Sequence, residues 1–194
     1  MQIIIGIDPS LTSTGIVVLQ NGKVETAVTT KDQPELGTII RVREIIKRIY
    51  KSITDLSNEE GCRDPNLIVI EGFSLGSKGN SIFETAYLGW RIREELEQLK
   101  LQKLPWIEVT PTQLKKFATG KGMGKKELIL LQVYKRWGVE FSDNNQADAF
   151  ILAKIGEAYL NGMEGLTSFQ AEVICELQGG KVKKVKKKVA KVNG

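Results

Sequence analysis

Two short runs of apolar, mostly β-branched residues do most to limit the fold: IIIGI at residues 3–7 and LIVI at residues 67–70, each followed at once by an acid, Asp8 and Glu71. Uninterrupted runs of this kind read as buried strands, which need cover from other elements. The sequence supplies that cover. From Thr38 to Leu56 the residues Ile39, Ile40, Val42, Ile45, Ile46, Ile49, Ile53 and Leu56 recur at helical spacing with Arg and Lys between them, which predicts an amphipathic helix. TGIVVLQNGKVETAVTT carries two strand-like runs around Asn21-Gly22, a strong hairpin signal, so three antiparallel strands open the chain. SIFETAYLGWRIREELEQL predicts the next helix and LPWIEVTP a fifth strand. Thr110-Pro111 then starts a short helix, with a hydroxyl at the cap and Pro at the first helical position. After the Gly-rich TGKGMG come two further helices, KKELILLQVYKRWG and NNQADAFILAKIGEAYLNG, each ended by Gly, and a shorter one in LTSFQAEVICEL. The order predicts an α/β fold with a mixed five-stranded sheet flanked by helices.

A chain of 194 residues, 41% hydrophobic and 26% charged, fits one ordinary domain, expected over residues 1–178. The formal net charge is +5, but seven lysines lie in residues 181–194 with no acid among them, so residues 1–180 carry −2. The basic character belongs to a tail, residues 179–194, whose composition predicts disorder and nonspecific attraction to DNA. Cys62 and Cys175 stand far apart and outside any metal-ligand spacing, and no stretch reads as a leader or a membrane span. A reduced, cytoplasmic protein without membrane contact is the expectation. There is no histidine, which excludes Ser-His-Asp and Cys-His nucleophile systems and zincin motifs. Chemistry must run on carboxylates, lysines, hydroxyls or oxygen-held metals.

Three acids stand out. Asp8 leaves a buried strand for the hydroxyl-rich turn PSLTSTG, where it either serves a site or caps its own loop. Glu71 ends the strand LIVI, where a ligand site and cheap solvation at a sheet edge are both consistent. Asp148 lies in the helix NNQADAFILAKIG, where an acid near the start also suits the helix dipole. Together they are more telling, because a pair of hard divalent cations that activates water and stabilises a leaving oxygen requires clustered carboxylates and no histidine.

IIIGIDPSLTSTGIVVL, LIVIEGF, EVTPTQLKKFATGKGMGKKE and QADAFILA, in this order, resemble the RuvC family of Holliday-junction resolvases within the ribonuclease H-like and integrase superfamily. The resemblance runs from residue 1 to about 160. It implies a homodimeric endonuclease dependent on Mg²⁺ or Mn²⁺, two ions per site, that makes paired nicks in four-way DNA junctions or related forks and flaps and leaves 5′-phosphate and 3′-hydroxyl ends. Asp8, Glu71 and Asp148 fall on the family's metal-binding acids, and Lys115 and Lys126 on its two lysines, which would stabilise charge at the scissile phosphate. Lys116, Lys121 and Lys125 share that segment and become candidate DNA contacts, with solvated helix surface as the plainer alternative. Small size and variant motifs point to a bacteriophage-encoded version, acting in the cytoplasm of its host.

The departures are specific. Where relatives place an aromatic three residues after the Glu, this chain has Ser74, with Phe73 one position earlier, so Phe73 either stacks on a base or is core, and Lys78 in GSKGNS is a further candidate contact. Where relatives carry two acids on the last helix, this chain has Asn145, whose amide oxygen can ligate a cation but carries no charge, and Asp148; Asp143 either restores that charge as a further ligand or caps the helix. Those amides motivate an alternative, branched-DNA binding with weakened or lost catalysis. An actin-like ATPase, which shares the opening G-[IL]-D pattern, is a third reading. For the dimer, the expected interface is the helix from Ser81 to Leu99, with Tyr87, Trp90 and Arg93 exposed.

Overall fold

Strand β1 (Ile3–Asp8) is buried along its whole length and forms the centre of the sheet. In the computed structural model, residues 1–30, 33–58, 64–72, 81–101, 104–123 and 126–180 are described. β1 pairs antiparallel with β2 (Gly15–Gln20), and β2 with β3 (Lys23–Thr29). The turn between β2 and β3 places Asn21 at φ 48° and Gly22 at φ 80°, the left-handed pair that a two-residue hairpin requires. On its other side β1 pairs parallel with β4 (Leu67–Glu71), and β4 with β5 (Trp106–Val109), giving the order β3-β2-β1-β4-β5.

Strand alternation divides the core in two. Ile3, Ile5, Ile7, Ile16, Val18, Ile68 and Ile70 face α1 (Thr38–Asn58) and α2 (Ser81–Leu101), which supply Val42, Ile45, Ile49, Ile53, Leu88, Ile92 and Leu96. Ile4, Val17, Leu19, Leu67 and Val69 face the other layer, built from α3 (Pro111–Thr119), α4 (Lys126–Trp137), α5 (Asn144–Asn161) and α6 (Ser168–Leu177). Both early helices run two residues beyond the expected ends at Leu56 and Leu99.

Helix α5 is the central piece of that layer and lies across β1, β2 and β4. It is apolar nearly all round: Phe150, Ile151, Leu152 and Ile155 are inaccessible to solvent, each contributing on the order of 2 kcal/mol through burial. Glycine lets it come close. A Cβ on Gly6 would stand 1.9 Å from the Ala149 carbonyl oxygen, and one on Gly15 2.1 Å from that of Asn145. Neither position has room for a side chain, so the sheet and the helix touch backbone to backbone at these two points. The contacts fix the height of α5 above the ends of β1 and β2.

Candidate active site

Asp8 and Glu71 occupy equivalent positions at the ends of neighbouring parallel strands. The β1–β4 register runs to Ile7 opposite Ile70, and the next residue on each strand is the acid. Side chains alternate along a strand, so Asp8 follows Ile4 and Gly6, and Glu71 follows Leu67 and Val69, onto the face covered by α5. Asp8 is 7% exposed, whereas Glu71 at the rim is half-buried. The turn after Asp8 is closed by its hydroxyls: Thr14 Oγ1 donates to the Ser10 carbonyl at 2.7 Å and accepts from the Ser10 amide at 3.1 Å, and the Thr30 hydroxyl accepts from the Thr14 amide at 2.8 Å.

The third acid arrives on α5. Gly15, opposite Asp8 in the β1–β2 ladder, is the residue that meets the Asn145 backbone, and Asp148 lies three residues further along the same helix. The first turns of α5 therefore sit over the end of β1 that carries Asp8. Asp148 Oδ1 is shut off from solvent. The positive end of the helix dipole favours anionic groups at this edge. Among the described residues no three His, Cys, Asp or Glu side chains are gathered closely enough to hold an ion by themselves. What suits a hard divalent cation here is the all-oxygen donor chemistry and the backbone placement of the three acids.

The amide-rich start of α5 has a structural explanation. Asp143 is the N-cap: Oδ1 accepts from the Asn145 amide at 2.8 Å and from Asn145 Nδ2 at 2.9 Å, while Oδ2 accepts a short hydrogen bond from the Thr29 hydroxyl of β3. Asn145 Nδ2 also donates to Ser13 Oγ at 2.6 Å. An aspartate at position 145 would lack this donor and would face the Asp143 carboxylate. Asp143 thus ties α5 to β3, and Asn145 ties it to the Asp8 turn. Thr29 and Ser13 escaped the sequence reading, because a lone hydroxyl carries no signal until the sheet brings it to its partner.

The basic segment reaches the same edge through β5. Glu71 pairs with Val109, and α3 begins two residues later. The Thr110 hydroxyl accepts from the Gln113 amide while the Gln113 side chain accepts from the Thr110 amide, a complete capping box, and Gly120 ends α3 at φ 80°. Lys115 is half-buried and Lys121 exposed. Lys116, a candidate DNA contact, is tied within the protein, with Nζ 3.0 Å from Glu172 and 3.1 Å from Glu176 of α6. Burial works to lower its pKa, but hydrogen bonds to Glu172 and Glu176 outweigh this and hold the ammonium above the ordinary lysine value. Lys126 opens α4, with its side chain outside the described set; Phe73, Lys78, Lys125 and all the lysines of the tail, residues 181–194, lie outside the described residues altogether. On α2, Tyr87 and Trp90 are exposed as expected, but Arg93 is not: it is 8% exposed, and its guanidinium donates to Glu108 at 2.6 and 3.0 Å and to the Gly89 carbonyl at 2.8 Å.

The sequence profile described as crossover junction endodeoxyribonuclease RuvC matches residues 4–154, most of the chain and all three acids. The chain belongs to the RuvC family. That membership removes the ATPase alternative. Among solved structures, RuvC from Thermus thermophilus superposes with a TM-score of 0.63 at 18% identity, covering 92% of this chain and 97% of that one. A second structure, T. thermophilus RuvC in complex with a Holliday junction substrate, gives 0.60 at 23% identity, over 79% and 91% of the two chains. At these identities the likeness shows a RuvC-type, ribonuclease H-like fold. No curated protein sequence matches the chain. No helix among the described residues is long and apolar enough to cross a membrane.

Proposed function

We propose that this RuvC-family nuclease resolves four-way DNA junctions, and related branched DNA, by cation-dependent hydrolysis of paired phosphodiesters, leaving 5′-phosphate and 3′-hydroxyl ends. The observation that carries the reading is the placement of Asp8 and Glu71 side by side at one sheet end, on the face over which the Asp148 helix begins. Asp8, Glu71 and Asp148 would hold Mg²⁺ or Mn²⁺, two ions per site. A bound cation there would supply charge neutralisation at the scissile phosphate and a water of lowered pKa. The chain's own part is positional: β1 and β4 present two carboxylates in register, and the Gly6 and Gly15 contacts set the third at a fixed height. Asp143 serves as the cap that orients the start of α5, with the Asn145 side chain held between Asp143 and Ser13. Lys115 and Lys126 stabilise charge developing on the phosphate, and Lys116, Lys121 and Lys125, with Phe73 and Lys78 from the segment after Glu71, contact DNA.

A homodimer suits two symmetric nicks. Phe83, Tyr87 and Trp90, spaced four and three residues apart on α2 and 78%, 38% and 66% exposed, form an apolar stripe that we assign to the twofold interface. A bacteriophage source and action in the cytoplasm of a bacterial host complete the proposal. One observation favours a second reading, branched-DNA binding with weakened catalysis: an uncharged Asn145, engaged as a donor, stands where relatives have an acid. A cleavage panel of four-way junction, fork, flap and linear duplex with Mg²⁺ and with Mn²⁺ separates the two. Cutting of the junction but not of linear duplex is expected; binding without cutting would establish the second reading.

A further inference from the structure

Helix α6 lies beyond residues 4–154 and carries none of the candidate catalytic residues, yet it grips the basic segment at several points. Phe169 closes the end of α3: a Cβ on Gly120 would meet the Phe169 ring at 3.3 Å. The same ring lies under the Arg136 guanidinium of α4, 5.0 Å from the ring centroid, and Arg136 Nε donates to the Ala118 carbonyl at 3.0 Å. That carbonyl belongs to the last turn of α3, where no intrahelical donor is available. One guanidinium therefore joins α4 to the end of α3, with the α6 ring behind it. On the adjoining surface of α3, Lys116 is held by Glu172 and Glu176, and Gln113 Nε2 donates to Glu176 at 3.4 Å. Val173 and Ile174 anchor α6 in the core. The Phe169 and Arg136 contacts meet where α3 gives way to the turn that carries Lys121, while those of Glu172 and Glu176 run back along α3 to Gln113 in its first turn.

We propose that Phe169 and Arg136 are positioning residues for junction cleavage, bracing the end of α3 so that Lys115 and Lys121 are presented at a fixed angle to the acid edge, without touching DNA themselves. This rests on the reading of the acid edge as a junction-cutting site. It differs from a DNA-contact role in a measurable way. A phosphate ligand contributes about 0.9 to the slope of log affinity against log salt, whereas a positioning residue contributes nothing to that slope.

The test uses the full chain with Phe169→Ala, Phe169→Tyr and Arg136→Gln. Three quantities are read: amide hydrogen exchange over residues 116–122 in the free protein, junction affinity against salt without divalent cation, and single-turnover cleavage at saturating enzyme. Phe169→Ala and Arg136→Gln should speed exchange at these amides and slow cleavage by about tenfold or more, with the salt slope unchanged. Phe169→Tyr keeps the ring and should restore both. Unchanged exchange in Phe169→Ala, or a slope lowered by about one in Arg136→Gln, overturns the proposal. The double variant Glu172→Gln/Glu176→Gln, altered only on the surface, covers the case in which Phe169→Ala fails to fold. It too should speed exchange and slow cleavage, whereas tighter junction binding with a steeper slope would make Lys116 a masked phosphate ligand and contradict bracing. If the unaltered protein cuts no branched DNA, the function proposed above fails, and exchange alone still decides whether the brace exists.

Discussion

Replacing Gly15 by Ala tests how closely helix and sheet must approach for the acids to work together. The added Cβ would stand 2.1 Å from the Asn145 carbonyl oxygen and 2.5 Å from its carbon, both backbone atoms that no rotamer change can move aside. Ordinary contact begins at 3.4 Å, so the start of α5 must lift by about 1.3 Å or β2 must bend away. Overpacking of this kind costs about 1–3 kcal/mol. The lift falls three residues before Asp148 and opposite Asp8, and a displacement of roughly 1 Å at reacting groups can cost about 10²-fold in rate. Urea denaturation should report the stability loss, and single-turnover junction cleavage a loss of about 10–100-fold, with junction affinity in the absence of cation little changed. Gly37→Ala is the control, because nothing lies within 4 Å of a Cβ there; it should leave cleavage unaltered and change stability only by the small difference between Gly and Ala at the start of α1. Wild-type stability and cleavage in Gly15→Ala would refute the argument that backbone contact between α5 and the sheet sets the spacing of the acids.

Other consequences are equally concrete. Asp143→Ala should cost about 1 kcal/mol as a lost N-cap and more through the orphaned Thr29 hydroxyl, seen as a lower thermal midpoint. Asn145→Asp should destabilise the protein without cation, by losing the donor to Ser13 and adding repulsion with Asp143, and a shift of the denaturation midpoint on adding Mg²⁺ should exceed that of wild type. Arg93→Ala removes a guanidinium held by Glu108 and the Gly89 carbonyl; with Glu108 partly solvated, roughly 1–2 kcal/mol of stability should be lost and the oligomeric state kept. Trp90→Glu, by contrast, should leave stability intact and shift sedimentation from dimer to monomer. Because Lys116 titrates above the ordinary lysine value, its ties to Glu172 and Glu176 are fully present below about pH 10 and fade only as pH rises through that raised value. Thermal stability should therefore show no Lys116-linked change between pH 6 and 9.

What the sequence disclosed and what it withheld divide along physical lines. The hairpin at Asn21-Gly22, the apolar periodicity of α1 and the Thr110-Pro111 helix start are local signals, complete within a few residues, and the structure contains each. The adjacency of the acids at the ends of IIIGI and LIVI was foreshadowed by their matching positions after two buried strands, which the parallel register sets side by side. The ion pairs of Arg93 and Lys116 were not legible, for a common reason. A charged residue on an amphipathic helix is indistinguishable from solvated surface until a distant element supplies its partner, Glu108 on β5 in one case and Glu172 and Glu176 on α6 in the other. Gly6 and Gly15 did carry a signal, since glycine inside a buried strand implies a close backbone approach, but only the fold could name α5 as what approaches. The choice between Asp143 and Asn145 as a further metal ligand was posed by the resemblance to relatives with two acids on this helix, and the hydrogen bonds of the cap give both residues structural work.

Asp8, Glu71 and Asp148 are proposed to form one cation-dependent hydrolytic centre. Its most direct test is single-turnover nicking of a synthetic four-way junction in Mg²⁺ by wild type, Asp8→Asn, Glu71→Gln and Asp148→Asn, with junction affinity measured in parallel. Each substitution should lower the nicking rate by about 10²–10³-fold or more while junction affinity holds. Near wild-type nicking by any one of the three would remove that acid from the centre and contradict the claim.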